Sequence, residues 1–254
     1  MTGTNVVCIK WGTKYPSVYV NRLFRGVQRA LERDFRFVCF TDDADGILPG
    51  VETHPLPVEP FEDALQAGMT RTGRKGAWRK VSLFRPGLVG LSGPRLILDL
   101  DVIITGGLDA IFDAAPDHVA MRREWRYEVK GQDGGHGSVC CFDPDIHPFL
   151  YEDFAADPMG MIDTYKNSEQ FYTSMRSAHY GKLAYLPGDL VCSFKRNAIP
   201  TFPLNLFRAP RLPDNCRVMC FHGVPTVEDA VAATTPSLRR RTLPAAWLTE
   251  NWRD

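Results

Sequence analysis

The chain has 254 residues, 44% hydrophobic and 24% charged, with 30 lysines and arginines against 30 aspartates and glutamates. Such a chain buries enough surface to fold without disulfide or metal staples. Its zero net charge excludes the basic balance of a general nucleic-acid binder, and no run approaches the roughly 18 apolar residues of a membrane span. In chain order, Val6-Val7-Cys8-Ile9 reads as a short strand, followed by the Gly- and Pro-punctuated loop Lys10-Trp11-Gly12-Thr13-Lys14-Tyr15-Pro16. Ser17 is positioned to cap a helix in which Val20, Leu23, Phe24, Val27 and Leu31 recur every three or four residues. Phe35 to Phe40 is a second buried strand, ending in Thr41-Asp42-Asp43. Strand, helix, strand in about forty residues opens an α/β fold with a parallel sheet.

Residues 46–76 show little periodicity and read as loop. Trp78 to Leu91 resumes a helical pattern that Pro86 ends or bends. Leu96 to Ile104 is apolar on both sides of Asp99 and Asp101, as expected of a central strand whose C-terminal end carries acid. Val119-Ala120-Met121, Ser138 to Phe142 and Leu183 to Leu186 are further strand candidates, and Glu169–Ser177 a helix; residues 122–136 and 196–215 read as loops. With no repeat or linker, residues 1–254 form one domain, with a basic and aromatic C-terminal tail from about residue 236. Seven cysteines, odd in number and without Cys-x-x-Cys spacing, point to a reducing compartment. The start Met1-Thr2-Gly3-Thr4-Asn5 lacks the character of a signal peptide, so a cytoplasmic protein is expected.

Asp99-Leu100-Asp101 is the strongest chemical feature. Ionised carboxylates within an apolar run are expensive unless paired or bound to a metal. Mg2+ or Mn2+ is held by one or two carboxylates with phosphates completing its shell, and it neutralises a departing phosphate. A third ligand is available in Phe221-His222-Gly223, at what reads as a strand end, and histidine favours Mn2+. The alternative is structural: a capping aspartate beside a loop aspartate, and a histidine satisfied by its neighbours.

The order of several blocks resembles the GT-A-fold nucleotide-sugar glycosyltransferases, near the glycogenin- and galactosyltransferase-like family 8. These blocks are Lys10 to Tyr15; Phe40-Thr41-Asp42-Asp43; Trp78-Arg79-Lys80-Val81-Ser82-Leu83-Phe84; Leu96 to Asp101; Gly137-Ser138-Val139; Ser168-Glu169-Gln170; and Phe221-His222-Gly223. The resemblance implies a Rossmann-like mixed sheet flanked by helices and a UDP-sugar donor carrying galactose or glucose. It also implies a saccharide or lipid-linked glycan acceptor, retention of anomeric configuration and a role in cell-surface polysaccharide synthesis. By the same likeness Asp99, Asp101 and His222 hold the cation. Lys10, Trp11, Gly12, Lys14 and Tyr15 wrap the nucleotide, with Thr41 and Asp42 near base and ribose. Lys80 approaches the donor, Gly137 and Ser138 line the sugar pocket, and Glu169 and Gln170 stand at the reacting face. Arg122 to Tyr127, followed by Gly131, Gly134, Gly135 and Gly137, reads as an acceptor or donor loop. Arg239-Arg240-Arg241 with Trp247 and Trp252 suggests peripheral contact with the inner membrane face.

One departure stands out. Many relatives carry a lysine after the His-Gly pair, whereas Val224-Pro225-Thr226 follow here, so either Lys14, Lys80 or Arg123 takes its place or donor affinity is weaker. A binding protein without turnover is therefore one rival. An aspartate-nucleophile phosphatase of the haloacid dehalogenase type is the other, although its Asp-x-Asp normally opens the fold and Gly188-Asp189 supplies no acidic pair. No Gly-x-Gly-x-x-Gly or P-loop is present.

Overall fold

The computed structural model describes residues 3–72, 78–165, 168–234 and 237–254. The strands are β1 (Thr4–Lys10), β2 (Phe35–Thr41), β3 (Glu52–His54), β4 (Arg95–Leu98), β5 (Val102–Ile104), β6 (Val119–Arg123), β7 (Gly135–Phe142), β8 (Leu183–Tyr185), β9 (Val191–Ser193) and β10 (Val218–Cys220). Among the helices are α1 (Ser17–Ala30), α2 (Glu62–Thr72), α3 (Asp109–Asp113), α4 (Trp125–Lys130), α5 (Phe149–Ala156), α6 (Pro158–Thr164), α7 (Glu169–His179), α8 (Val227–Val231) and α9 (Ala246–Asn251).

Seven strands form a mixed sheet in the order β3-β2-β1-β4-β7-β6-β8, and β5-β10-β9 form a second, smaller sheet. β1 runs parallel to β2 and β4, and β7 runs antiparallel to both β4 and β6. Alternation of side chains along each strand gives the large sheet two apolar faces. Val6, Cys8, Phe37, Cys39, Leu96 and Leu98 pack with Val20, Leu23, Phe24 and Val27 of α1. Val7, Val38, Phe40 and Ile97 turn the other way, onto Leu65, Trp78, Leu83, Phe154 and Tyr172. All seven cysteines are buried free thiols. No helix among the described residues is long and apolar enough to cross a membrane.

Several expectations need correction. Ser17 is the first helical residue rather than the cap; Pro16 occupies the cap position at φ −69° and ψ 163°, so ring geometry instead of a side-chain hydrogen bond starts α1. The periodic stretch from Trp78 is two 3-10 turns, Arg79–Phe84 and Leu88–Gly90, separated at Pro86. The supposed loop 46–76 holds β3 and α2, and its residues 73–76 lie outside the described residues. Residues 122–136 include α4, and 196–215 include a 3-10 turn at Leu204–Leu206.

The apolar run from Leu96 to Ile104 is not one strand. β4 ends at Leu98, and β5 belongs to the other sheet, antiparallel to β10. Asp99-Leu100-Asp101 is the joint between the two sheets, where the Asp99 N–H donates to the Ser138 carbonyl at 3.0 Å and the Phe221 N–H to the Asp101 carbonyl at 3.0 Å. An unbroken strand would have sent both carboxylates to one side; breaking it lets them face different partners.

The C-terminal stretch, read as a tail, is folded onto the rest over residues 237–254. Trp252 packs edge-on against Tyr19, their ring centroids 5.1 Å apart, and Trp247 donates to the Pro210 carbonyl at 3.0 Å. Both aromatic side chains thus take part in packing, while Arg239, Arg240 and Arg241 remain exposed.

Candidate active site

The parallel strands β1 and β2 end side by side, and their loops are stitched together there. Asp42 accepts from the Gly12 N–H at 2.8 Å, Lys10 donates to the Asp43 carbonyl at 3.1 Å, and Thr41 donates to the same carbonyl at 2.8 Å. Gly12 sits at φ +61°, a conformation that glycine adopts without strain. The loop then brings Tyr15 to Asp101, its hydroxyl donating to Oδ2 at 2.7 Å, while the Lys14 ammonium lies 4.4 Å from the Tyr15 ring centre. Together Lys14, Tyr15, Tyr19, Asp101, Gly223 and Thr226 border a cavity of about 400 Å3. Trp11 is half-buried in the same loop.

Behind Asp101 lies a charged cluster built from four elements. Lys80, on the 3-10 turn after Trp78, forms an ion pair with Asp99 and donates to the Gly137 carbonyl at 2.9 Å. Burial alone would push Lys80 down, but Asp99 and Glu169 outweigh it and hold the ammonium above its ordinary range. Burial also drives Asp99 up, and here Lys80, aided by Ser138, reverses the effect and holds it below the usual carboxylate range. Asp101 has the opposite balance: burial and then the Asp99 charge push it up to about 6, against the Tyr15 hydroxyl. Two carboxylates so close, one ionised and one reluctant, form an oxygen donor pair that a hard cation would relieve.

Ser168 caps α7 through its side chain and thereby fixes Glu169 and Gln170 in the first turn. Gln170 accepts from the Gly137 N–H at 3.0 Å, so this side chain holds β7 in place as well as facing the cluster. Glu169 is buried, takes a 3.1 Å hydrogen bond from Thr173, and is pushed up to about 7 by burial, with Lys80 opposing. Gly137 permits this approach: a Cβ there would lie 3.0 Å from Gln170 Cβ and 3.5 Å from Glu169 Oε2.

His222 follows β10 on the far side of the joint. Its Nε2 is 2.8 Å from Ser193 Oγ, and its ring stacks on Trp125 with centroids 5.2 Å apart and planes 19° apart. Burial, then Lys195, Arg196, Arg126 and Arg240, push it down to about 4, so it is a neutral base. His136 lies 5.4 Å from it, ring centre to ring centre, and is pushed down to about 3 by burial and by His222. Among the described residues, no three His, Cys, Asp or Glu side chains stand together as a ready metal site. The donor pair of Asp99 and Asp101 fits a divalent cation, while His222 is engaged with Ser193.

No lysine follows Gly223 in the sequence, but one stands beside it in space. Lys195, two residues beyond β9, donates to the His222 carbonyl, and a Cβ on Gly223 would lie 3.5 Å from its Nζ. Of the sequence candidates, Lys14 borders the Asp101 cavity and Lys80 serves Asp99, but Arg123 is directed to Asp133 and the Tyr185 ring. Only the dibasic pair Lys195-Arg196 after an apolar strand could have signalled this site.

No protein-family model matches the chain, and no curated protein matches it by sequence. Solved structures do match. An active-site mutant of LgtC superposes with a TM-score of 0.58 at 14% identity, covering 88% of this chain and 89% of that one. Galactosyltransferase LgtC in complex with donor and acceptor sugar analogues gives 0.55 at 14% identity, covering 88% of each chain. Apo mouse xyloside xylosyltransferase 1 gives 0.52 at 11% identity, covering 88% of this chain and 98% of that one. The fold is GT-A. The mixed sheet flanked by helices and the likeness to family 8 are thus borne out at the level of architecture. In this GT-A frame Asp99 follows the fourth strand rather than the first, which leaves the aspartate-nucleophile phosphatase reading without its fold.

Proposed function

We propose that the protein is a glycosyltransferase that moves a hexose, galactose or glucose, from a UDP-sugar to a saccharide or lipid-linked glycan in the cytoplasm, with retention. The observation that carries this reading is the convergence of Lys80, Asp99, Asp101, Gly137 and Glu169 at the joint between two sheets of a GT-A fold. In net terms the acceptor oxygen bonds to the anomeric carbon as that carbon's bond to the diphosphate breaks, and the hydroxyl proton leaves with UDP.

Asp99 and Asp101 would hold Mn2+ or Mg2+, with His222 as third ligand once its bond to Ser193 is given up. A bound cation would supply neutralisation of the departing diphosphate. Lys195 adds positive charge beside Gly223 on that side. Lys10, Trp11, Gly12, Lys14 and Tyr15, with Thr41 and Asp42, form the nucleotide wall; Tyr15 would have to give up its hydrogen bond to Asp101 Oδ2 for that oxygen to serve a cation. Lys80 and the Gly137-Ser138 backbone fix Asp99 and the sugar pocket floor. Glu169, with an affinity for protons matched to neutral pH, and Gln170 face the developing positive charge at the anomeric carbon.

The test is calorimetric titration of UDP into the protein with Mn2+ and with EDTA, repeated on Asp101→Ala. Binding in Mn2+, weaker by at least about tenfold in EDTA and in the variant, is expected. Binding indifferent to both removes the metal–diphosphate assignment. Binding with no hexose transfer across a panel of UDP-sugars and acceptors favours the reading without turnover.

A further inference from the structure

A second cavity, of about 360 Å3, adjoins His222. Its charged lining is entirely cationic: Arg126 from α4, Lys195 and Arg196 after β9, and Arg239 and Arg240 near the C-terminus. Three segments distant in sequence therefore converge on one positive concavity in a chain whose net charge is zero. Among the described residues none of these five forms an ion pair with a carboxylate, although thirteen lysine or arginine pairs occur elsewhere. Glu124 acts on Lys195 from nearby, but one carboxylate stands against five cations, and like charges held together in such excess repel one another and create a local field for an anion. Guanidinium groups in particular match the paired oxygens of phosphate and carboxylate.

The donor does not account for so much charge. With a divalent cation on Asp99 and Asp101, whose two carboxylates would offset it, the two acidic phosphates of a nucleotide-sugar would be balanced by Lys80 beside Asp99 and Lys195 at Gly223. The remaining four arginines are surplus. The cavity also has an organic wall in Ile199, Pro200 and Phe202. The Phe202 ring is 51% exposed, with Arg239 5.9 Å from its centre. An aromatic face beside guanidinium groups is suited to a sugar ring that bears an anionic substituent.

We infer that this cavity is the acceptor subsite and that the acceptor is an anionic saccharide, carrying a phosphate or carboxylate that Arg126, Arg196, Arg239 and Arg240 bind while Phe202 supports the ring. The acceptor role rests on the glycosyltransferase reading; the anion preference rests on the cavity alone.

The experiment titrates glucose 6-phosphate, glucuronate and glucose into the full chain without nucleotide, and then into Arg196→Ser/Arg239→Ser. Both arginines are exposed, so UDP affinity in Mn2+ serves as the control for an intact fold. The expected result is binding of the two anionic sugars at least about tenfold tighter than glucose, lost about tenfold or more in the double variant, with UDP affinity kept within twofold. Phe202→Ala should weaken the anionic sugars while leaving inorganic phosphate unchanged. Equal binding of charged and neutral sugars overturns the inference. So does a double variant that loses UDP as strongly as glucose 6-phosphate, since the charge would then belong to the donor. Anionic-sugar binding in a protein that never binds UDP overturns the acceptor role. Sedimentation with phosphatidylglycerol but not phosphatidylcholine vesicles, competed by glucose 6-phosphate, would assign the anion to a lipid-borne phosphate; no sedimentation would assign it to a soluble one.

Discussion

Lys80 stands among three carboxylates, with Asp99 and Glu169 the stronger influences and Asp101 the weaker. Its side chain is only 15% exposed, and the ammonium makes one further hydrogen bond, to the Gly137 carbonyl. Removing it strands Asp99 beside Asp101 with no counter-charge, which is the costly half of a largely desolvated pair. Lys80→Met is therefore expected to lose about 2–3 kcal/mol in urea unfolding, less than a sealed pair because the Asp99 side chain is 29% exposed. Adding Asp99→Asn should return most of that loss, since the stranded charge is then gone. Equal stability of wild type and Lys80→Met would show that the ion pair does not organise the site.

At the level of elements, the β7–α7 contact is as tight as the site permits. A Cβ on Gly137 would meet Gln170 Cβ at 3.0 Å, and the Gly137 N–H and carbonyl are both engaged, by Gln170 and Lys80. Gly137→Ala is expected to force α7 or β7 outward and destabilise by about 1–3 kcal/mol. On the function proposed above, which puts Glu169 and Gln170 at the sugar rather than the nucleotide, UDP binding should persist in that variant while hexose transfer falls; unchanged transfer would contradict that placement. The same junction shows what the sequence could and could not reveal. Apolar periodicity located β1, α1, β2 and α7, because each is long enough to repeat its pattern. The break at Asp99 was invisible, since apolar residues flank it on both sides whether it lies in one sheet or joins two. Short elements such as β3 and α4 offer too few residues for a period. Lys195 and Arg126 were missed as partners of His222 because only tertiary convergence relates them.

Across the whole molecule, four titrating groups near the joint pull in opposite directions as pH changes. Glu169 is pushed up to about 7 and Asp101 to about 6, so the fold binds protons on them that the unfolded chain gives up near 4.5 and 3.8. Their contribution to stability is present at low pH and lost as pH rises through those folded values. His136 and His222 are pushed down to about 3 and about 4 from 6.5, so their contribution is present above 6.5 and lost as pH falls. Between pH 6.5 and 4.5 the acids gain about as many protons in the fold as the histidines gain in the unfolded chain. These four groups therefore nearly cancel across that window, and the wild type should lose stability on acidification mainly through His147, which burial also pushes down, each uncompensated proton being worth about 1.4 kcal/mol per pH unit. Glu169→Gln removes one acid, and its stability should fall on acidification by roughly 1 kcal/mol per pH unit. His136→Phe keeps the aromatic contact with Trp125 but removes a base, so its stability should rise relative to the wild type on acidification over the same range. Urea midpoints measured at pH 7, 6 and 5 on all three proteins decide the matter, and parallel profiles would show that these groups are not perturbed by the fold.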